Sequence, residues 1–474
     1  MTNADLKDGW ELIVGLEVHV ELGTATKLFC GCVNQFGDEP NTNICPVCLG
    51  LPGSLPVVNE KAVISAMQLG RALNCSVNRS VFARKNYFYP DMPKDYQISQ
   101  YDQPTNTDGY LDLPSGVRIG IERAHIEEDT GKTVHIGSTG RISGSDYSLV
   151  DYNRAGVPLI EVVSHPVIRT INQAKEYVEE LRGILLALGV SDAKMEEGSI
   201  RVDANVSVRT TNEDGLRTRC EIKNVNSLRS LGRAIEYEAN RQIDLYENGE
   251  SPSQETRHWD ESAGRTRSGR SKEDAEDYRY FQEPDLVPLN PNSEIIHMID
   301  QGLPTFPSER RTQLAALADM DIAEIALIVE RSHDDFASET IRAGATPQMA
   351  IKHLTNNLSD GLGKLTPEAF TSLLQMEETA ELTSTQAKKV LGELVQKGGN
   401  PQEVAAQFGL EAIGTDQLET LIDQLIANHP DEWERFCGGE KKVQGFFVGE
   451  IMKSTSGQAD GKAINQILNA RTAE

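Results

Sequence analysis

Between Glu11 and Leu22 the chain alternates strictly. Leu12, Val14, Leu16, Val18, Val20 and Leu22 take every second position, the period of a strand that buries one face. The other face then carries Glu17, His19 and Glu21 in a row. The segment Arg201–Arg209 has the same period, with Val202, Ala204, Val206 and Val208 on one side and Arg201, Asp203, Asn205, Ser207 and Arg209 on the other. Arg219, Glu221 and Lys223 align in the same way. Short alternating segments, glycines and prolines continue to about residue 290, the texture of an α+β fold built on a mixed or antiparallel sheet. The Pro-studded passage from Glu283 to Pro291 reads as a linker. Beyond it the chain is helical and rich in Ala, Leu and Glu, with helix starts at Thr366 and Ser384. Breaks at Gly398-Gly399-Asn400-Pro401 and Gly438-Gly439 divide this half. The expected organisation is a large sheet domain over 1–292, an all-helical domain over 293–400 and a small helical tail over 401–474.

The length of 474 residues suits two or three domains. No apolar run approaches the roughly 20 residues that span a bilayer, and the first residues lack the basic and apolar regions of a secretory signal. These features lead us to expect a cytoplasmic chain with no membrane partner. The formal charge of −26 argues against coating DNA or any nucleic acid by bulk electrostatics. Between Arg201 and Arg279 there are 14 Lys and Arg but also 16 acids. That stretch is either a salt-bridged surface or a local polar track.

Several constellations bear chemistry. Glu17 and His19, two residues apart on one strand face, offer oxygen and nitrogen ligands to a divalent cation, or form an ordinary solvent face. The charges on the two later strands line a cavity for phosphates and a metal, or simply pair across strands. Cys30, Cys32, Cys45 and Cys48 fall within 19 residues as two short pairs around a loop, the layout of a closed, structural four-cysteine zinc site, against four unrelated thiols. Cys75, Cys220 and Cys437 are isolated. The acidic turn His125–Lys132 ends in Gly-Lys but lacks the rest of a phosphate-binding loop, and no dinucleotide fingerprint occurs. The run Arg84–Asp91 mixes two cations with three aromatic rings, either to stack on a base or to pack as a turn under the sheet.

These segments resemble the B subunit of the glutamyl/aspartyl-tRNA amidotransferase. The resemblance runs through Val14–Glu21, Leu51–Asn59, Arg84–Asp91, Tyr96–Gln100, His125–Asp129, Asp151–Glu161, Lys194–Ser199, Lys223–Ser227 and Asp277–Phe281, and reaches Gly445–Lys453 in the tail. It implies an ATP- and Mg²⁺-dependent catalytic domain that phosphorylates the side-chain carboxylate of Glu or Asp mischarged onto a tRNA. Ammonia then displaces the phosphate to give Gln-tRNA or Asn-tRNA. It further implies a heterotrimer in which the partners are an amidase (glutaminase) and a small third protein that belts the assembly together. No glutaminase stretch is visible in this chain, so ammonia has to come from the amidase partner.

By the resemblance, Glu17, His19, Glu128 and Asp203 are the Mg²⁺ ligands. Alternation independently selects Glu17, His19 and Asp203 but does not choose between Glu127 and Glu128. Lys194, Glu196, Glu197, Arg217, Arg219, Lys223 and Tyr278 are expected to face substrate or phosphate. The helical tail, with Lys441, Lys442 and Lys453, is expected to touch the tRNA. Two segments depart from the family pattern. Ser268-Gly269-Arg270 stands where Ser-Met-Arg is expected, and Tyr280-Phe-Gln282 where Tyr-Phe-Pro is expected.

Overall fold

Strand β1 (Trp10–Glu21) is the axis of the first compact unit. Leu12, Leu16, Val18, Val20 and their alternating neighbours are all buried, as the period requires. The computed structural model describes residues 6–137, 144–271, 278–410, 415–438, 440–455, 459 and 461–472. In chain order the remaining strands are β2 (Ser76–Val77), β3 (Ala83–Asn86), β4 (Tyr96–Ser99), β5 (Asn106–Asp112), β6 (Arg118–Glu128), β7 (Lys132–Gly137) and β8 (Ser145–Asp151). They are followed by β9 (Pro158–Ser164), β10 (Ile200–Thr210), β11 (Cys220–Val225), β12 (Glu255–Asp260), β13 (Arg265–Ser271) and β14 (Phe281–Gln282). Nine of them form one sheet in the order β13-β12-β11-β10-β1-β9-β6-β5-β2. All its pairs are antiparallel except β11 with β12, so the sheet is mixed.

Helices α1 (Glu60–Ala72), α2 (Ile171–Leu188) and α3 (Leu228–Glu247) contribute their apolar stripes to the same core as the even-numbered residues of β1 and β10. Their ends are set locally. Asn59, Thr170 and Ser227 cap the three N-termini through their side chains, and Gly189 closes α2 in a left-handed turn. The opposite face of the sheet is left polar. A three-stranded sheet, β14-β3-β4, brings Lys85 to that face.

The passage expected to be a linker is part of this body. Glu283 is fully buried and takes a two-bond ion pair from Arg84 (2.7 and 2.9 Å). Leu289 bridges to Ser80, and Leu286 and Leu289 pack on the core. The prolines there terminate strands without releasing the chain. Helix α4 (Ser293–Gln301) also joins the first unit, through buried Ile299 and an Arg71–Asp300 pair at 2.7 Å. That unit therefore runs to Ser308, past the expected boundary at 292.

The second unit, Glu309–Glu474, is helical among its described residues. It holds two separate cores. One runs from Leu314 to Ala405, and includes Val404 of the helix Pro401–Gln407. The other runs from Leu418 to Leu468, where Trp433, Phe436 and Phe447 gather.

Candidate functional site

The polar face of the large sheet carries its acids on neighbouring strands. Register places Glu17 opposite Asp203 on β10, and His19 opposite Glu161 on β9. Two groups result. Glu17, Asp203 and Glu221 form one, and His19, Glu127 and Glu161 the other, with the ligand atoms of each group within 4.8 Å of one another. The first is an all-oxygen set suited to a hard divalent cation, and the second adds an imidazole nitrogen, a borderline donor.

The charges within the second group are interdependent. Burial disfavours the His19 imidazolium, yet Glu161, Glu127 and Asp203 outweigh it and raise its pKa to about 9. His125, beside Glu161 at 3.5 Å, is pushed down to about 4 by burial and by the charges of Arg123, His19 and Lys85. Glu127 is raised by burial and by Glu161, whereas Glu161 is held well below the usual range because His125, His19 and Lys85 overcome its burial. A cation bound among these carboxylates would therefore compete with the proton on His19.

A cleft of about 940 Å³ opens over both groups, and a second of about 510 Å³ adjoins it. Lys85, Lys223, His19, Glu127 and His258 line both. Lys223 donates to Asp203 at 2.6 Å. Lys85 sits over the Tyr278 ring, 4.7 Å from its centre. The run Arg84–Asp91 divides by parity. Lys85, Tyr87, Tyr89 and Asp91 line the larger cleft, and Arg84 faces back to Glu283. Tyr101 and Tyr280 stack at 4.3 Å on its rim.

Glu17, His19, Asp203, Arg219, Lys223 and Tyr278 therefore line the two clefts. Glu128 does not. It lies on the opposite face of β6, buried, where it pairs with Lys94 and accepts from the Ile98 amide at 2.8 Å. Glu127 is the neighbour that lines both clefts. Lys194, Glu196, Glu197 and Arg217 also lie outside both clefts. Lys194 pairs with Glu197 at 2.8 Å in a surface turn before β10. Arg217 packs over Trp10 and Tyr246 and pairs with Glu213. Glu21, on the same face as His19, belongs instead to a charge cluster with Asp129, Arg201 and Arg154. There burial and Asp129 raise it to about 7.

Glu161, His125, Lys85 and His258 went unassigned by sequence reasoning, whereas Glu221 sits in the cleft that its alignment with Arg219 and Lys223 allowed. Glu161 is the one charge in Pro158-Leu-Ile-Glu-Val-Val-Ser164, and an acid in an otherwise apolar central strand was the signal. Gly269, where the family pattern has Met, leaves no room for a side chain. A Cβ there would lie 2.7 Å from the Thr256 carbonyl and 3.0 Å from His258.

Apart from the clefts, Cys30, Cys32, Cys45 and Cys48 bring their four sulfurs within 4.8 Å of one another. This is a set that can hold a metal ion such as zinc. The Cys48 thiol falls to about 5, chiefly through a hydrogen bond from Cys30. Between these cysteines and β6 lie Lys27, Lys94 and Glu128, which line a small cavity with Cys30 and Cys48.

Comparison with known proteins covers nearly the whole chain. Residues 12–297 match the model of the GatB/GatE catalytic domain, and residues 335–471 that of the GatB domain. The chain is 48% identical to an aspartyl/glutamyl-tRNA(Asn/Gln) amidotransferase B subunit from Frankia casuarinae, over 99% of this chain and 97% of that one. The same-named proteins of Thermobifida fusca and Prochlorococcus marinus are 46% and 44% identical. Each alignment covers 98% of this chain, with 94% and 98% of the relative.

Proposed function

Because the chain belongs to the B subunit family of the aspartyl/glutamyl-tRNA(Asn/Gln) amidotransferases, we propose that its polar cleft activates the side-chain carboxylate of Glu or Asp carried on a mischarged tRNA. ATP donates its terminal phosphoryl group to that carboxylate, and ammonia then displaces phosphate to form the amide of Gln-tRNA or Asn-tRNA. The observation that carries this reading is the junction of two clefts over two carboxylate groups, with Lys85 and Lys223 lining both. Two substrates, ATP and the aminoacyl end, have to meet at one point, and a doubled cleft provides for that.

Glu17, Asp203 and Glu221, and His19, Glu127 and Glu161, are the residues that would hold Mg²⁺. When bound, it offsets the charge of the transferring phosphoryl group. Lys85, Lys223, Arg219 and Arg123 face the same space and add fixed positive charge where phosphate oxygens gather. Tyr87, Tyr89, Tyr278 and Tyr280 offer ring faces to the adenine or to the terminal base of the tRNA.

In this reading the four cysteines bind a structural zinc that braces Lys94 and Glu128 behind β6, and the chain works in the cytoplasm. Among the described residues no helix is long and apolar enough to cross a membrane. Ammonia comes from an amidase (glutaminase) partner, in a heterotrimer completed by a small third protein. The tail core around Trp433 and Phe447 touches the tRNA body, aided by Lys453, which is well exposed.

The test is reconstitution with both partners, following ATP-dependent phosphorylation and amidation. Glu17→Ala and Asp203→Ala abolish phosphorylation while leaving tRNA affinity within a few-fold. Loss of tRNA binding in both, with phosphorylation kept, would refute the assignment.

A further inference from the structure

Each carboxylate of the Glu17–Asp203–Glu221 group has its own donor. Lys223 Nζ donates to Asp203 at 2.6 Å, Thr256 Oγ1 to Glu221 at 2.7 Å, and Asn205 Nδ2 to Glu17 Oε1 at 2.9 Å. Asn205 differs from the other two donors because an amide brings a carbonyl as well. Its side chain belongs to a residue only 8% exposed, and its Oδ1 is buried with no hydrogen-bond partner among the protein's atoms. A buried carbonyl left in that state has given up its water without a replacement hydrogen bond. Asn205 lies opposite Gly15 on β1 and opposite Glu221 on β11, so strands bearing two of the acids flank it.

We propose that Asn205 is a further ligand of the divalent cation held by Glu17, Asp203 and Glu221, through its side-chain carbonyl. This rests on reading that group as a cation site. Turning the amide end for end, a rotation about one bond, puts Oδ1 where Nδ2 stands, 2.9 Å from Glu17 Oε1. Two oxygens repel at that distance unless a cation joins them. Adjacent oxygens of an octahedral Mg²⁺ shell, with bonds of about 2.0–2.1 Å, stand about 2.9 Å apart. The spacing is therefore met without moving the backbone. Charge points the same way. Three carboxylates and the Lys223 ammonium leave two negative charges, which one divalent cation neutralises. A neutral carbonyl completes such a shell without overshooting. The amide thus serves both conditions, as a donor to Glu17 without the cation and as a ligand with it.

Mn²⁺ titration of the full-length chain, read by the electron paramagnetic resonance of free Mn²⁺, tests this. The relevant site is the one whose Mn²⁺ is lost in Asp203→Ala. Asn205→Leu keeps the branching and heavy-atom count and removes both amide ends, and is expected to weaken that site by about 10–100-fold. Asn205→Asp keeps an oxygen but loses the donor, and is expected to bind within a few-fold of the parent. Melting in EDTA confirms that each variant is folded, and if the Leu variant is not, the Asp variant decides alone. Unchanged affinity in Asn205→Leu would overturn the assignment. So would equal weakening in both variants, since that is the signature of an amide that only donates to Glu17. If the parent binds no Mn²⁺ at this group, the reading of the cleft itself fails, a result distinct from either.

Discussion

Glu127 and Glu128 are neighbours in sequence with opposite duties, and exchanging each for Gln separates them. Glu128 and Lys94 are both almost wholly enclosed, with side chains 3% and 8% exposed. Glu128→Gln leaves the Lys94 ammonium buried without its counter-charge, the kind of loss that costs about 3–5 kcal/mol. At roughly 2 °C per kcal/mol for a unit of this size, its melting point falls by about 6–10 °C. Glu127→Gln does the reverse. Burial and Glu161 already press Glu127 toward its protonated form, so a neutral amide there changes stability by about 1 kcal/mol or less but removes a ligand. The assay is paired: unfolding of the first unit by the fluorescence of Trp10 and Trp259, and Mn²⁺ binding by the folded protein. Glu128→Gln is expected to lower the melting point and keep the cation at its site whenever folded. Glu127→Gln is expected to melt like the parent and lose affinity at least 10-fold. The opposite pairing would refute the assignment of faces on β6.

Four further outcomes follow from the geometry. His19, with a pKa raised to about 9 by its acidic neighbours despite burial, contributes stability in EDTA that is present below its unfolded pKa of about 6.5 and lost as pH rises through 9. Melting curves from pH 6 to 9.5 should show that loss, and His19→Gln should flatten it; an unchanged slope would refute it. The parent should bind one zinc, and Cys45→Ser with Cys48→Ser should lose it and melt lower, which elemental analysis and calorimetry can check. In the native protein Cys437 is exposed, whereas burial pushes Cys75 and Cys220 up to about 12. Mass spectrometry after brief alkylation should find Cys437 modified and the other two untouched. Truncation after Leu410, which spares the core ending at Ala405, should weaken tRNA binding without reducing ATP hydrolysis, and equal affinity would remove the tail from the interface.

Much of this site was readable from alternation, because β1 and β10 pair residue for residue from Trp10 to Val20 without a register shift. Strand β6 does not. Ile119 and Ile121 are buried on odd positions, Ala124 and Ile126 on even ones, and the register shifts between Ile121 and Arg123. A bulge of one residue flips every later side chain to the other face. Parity counted from either end of β6 thus gives opposite answers for Glu127 and Glu128, and the family resemblance chose Glu128, which faces Lys94 and not the clefts. The supposed linker failed for a different reason. Prolines mark where a strand stops, but whether the chain leaves depends on a partner 199 residues away, the pair of Arg84 with Glu283. Lys194, Glu196 and Glu197 have the right charges in a segment shared with the family, yet a surface turn points them away from the cleft.

The acids of the cleft stand on β11, β10, β1, β9 and β6, adjacent rungs of one hydrogen-bonded ladder. Such a ladder is a graduated scale, ruled at about 4.8 Å across strands and about 3.4 Å along them. Distances between the reacting atoms are therefore inherited from backbone pairing and not from the loops at the rim. The loops can drift in length and composition, admitting one aminoacyl end or another, while the spacing of the charges stays fixed. A single inserted or deleted residue within any of those five strands is far less forgivable, since it turns a cleft-facing side chain into the core and a core side chain into the cleft.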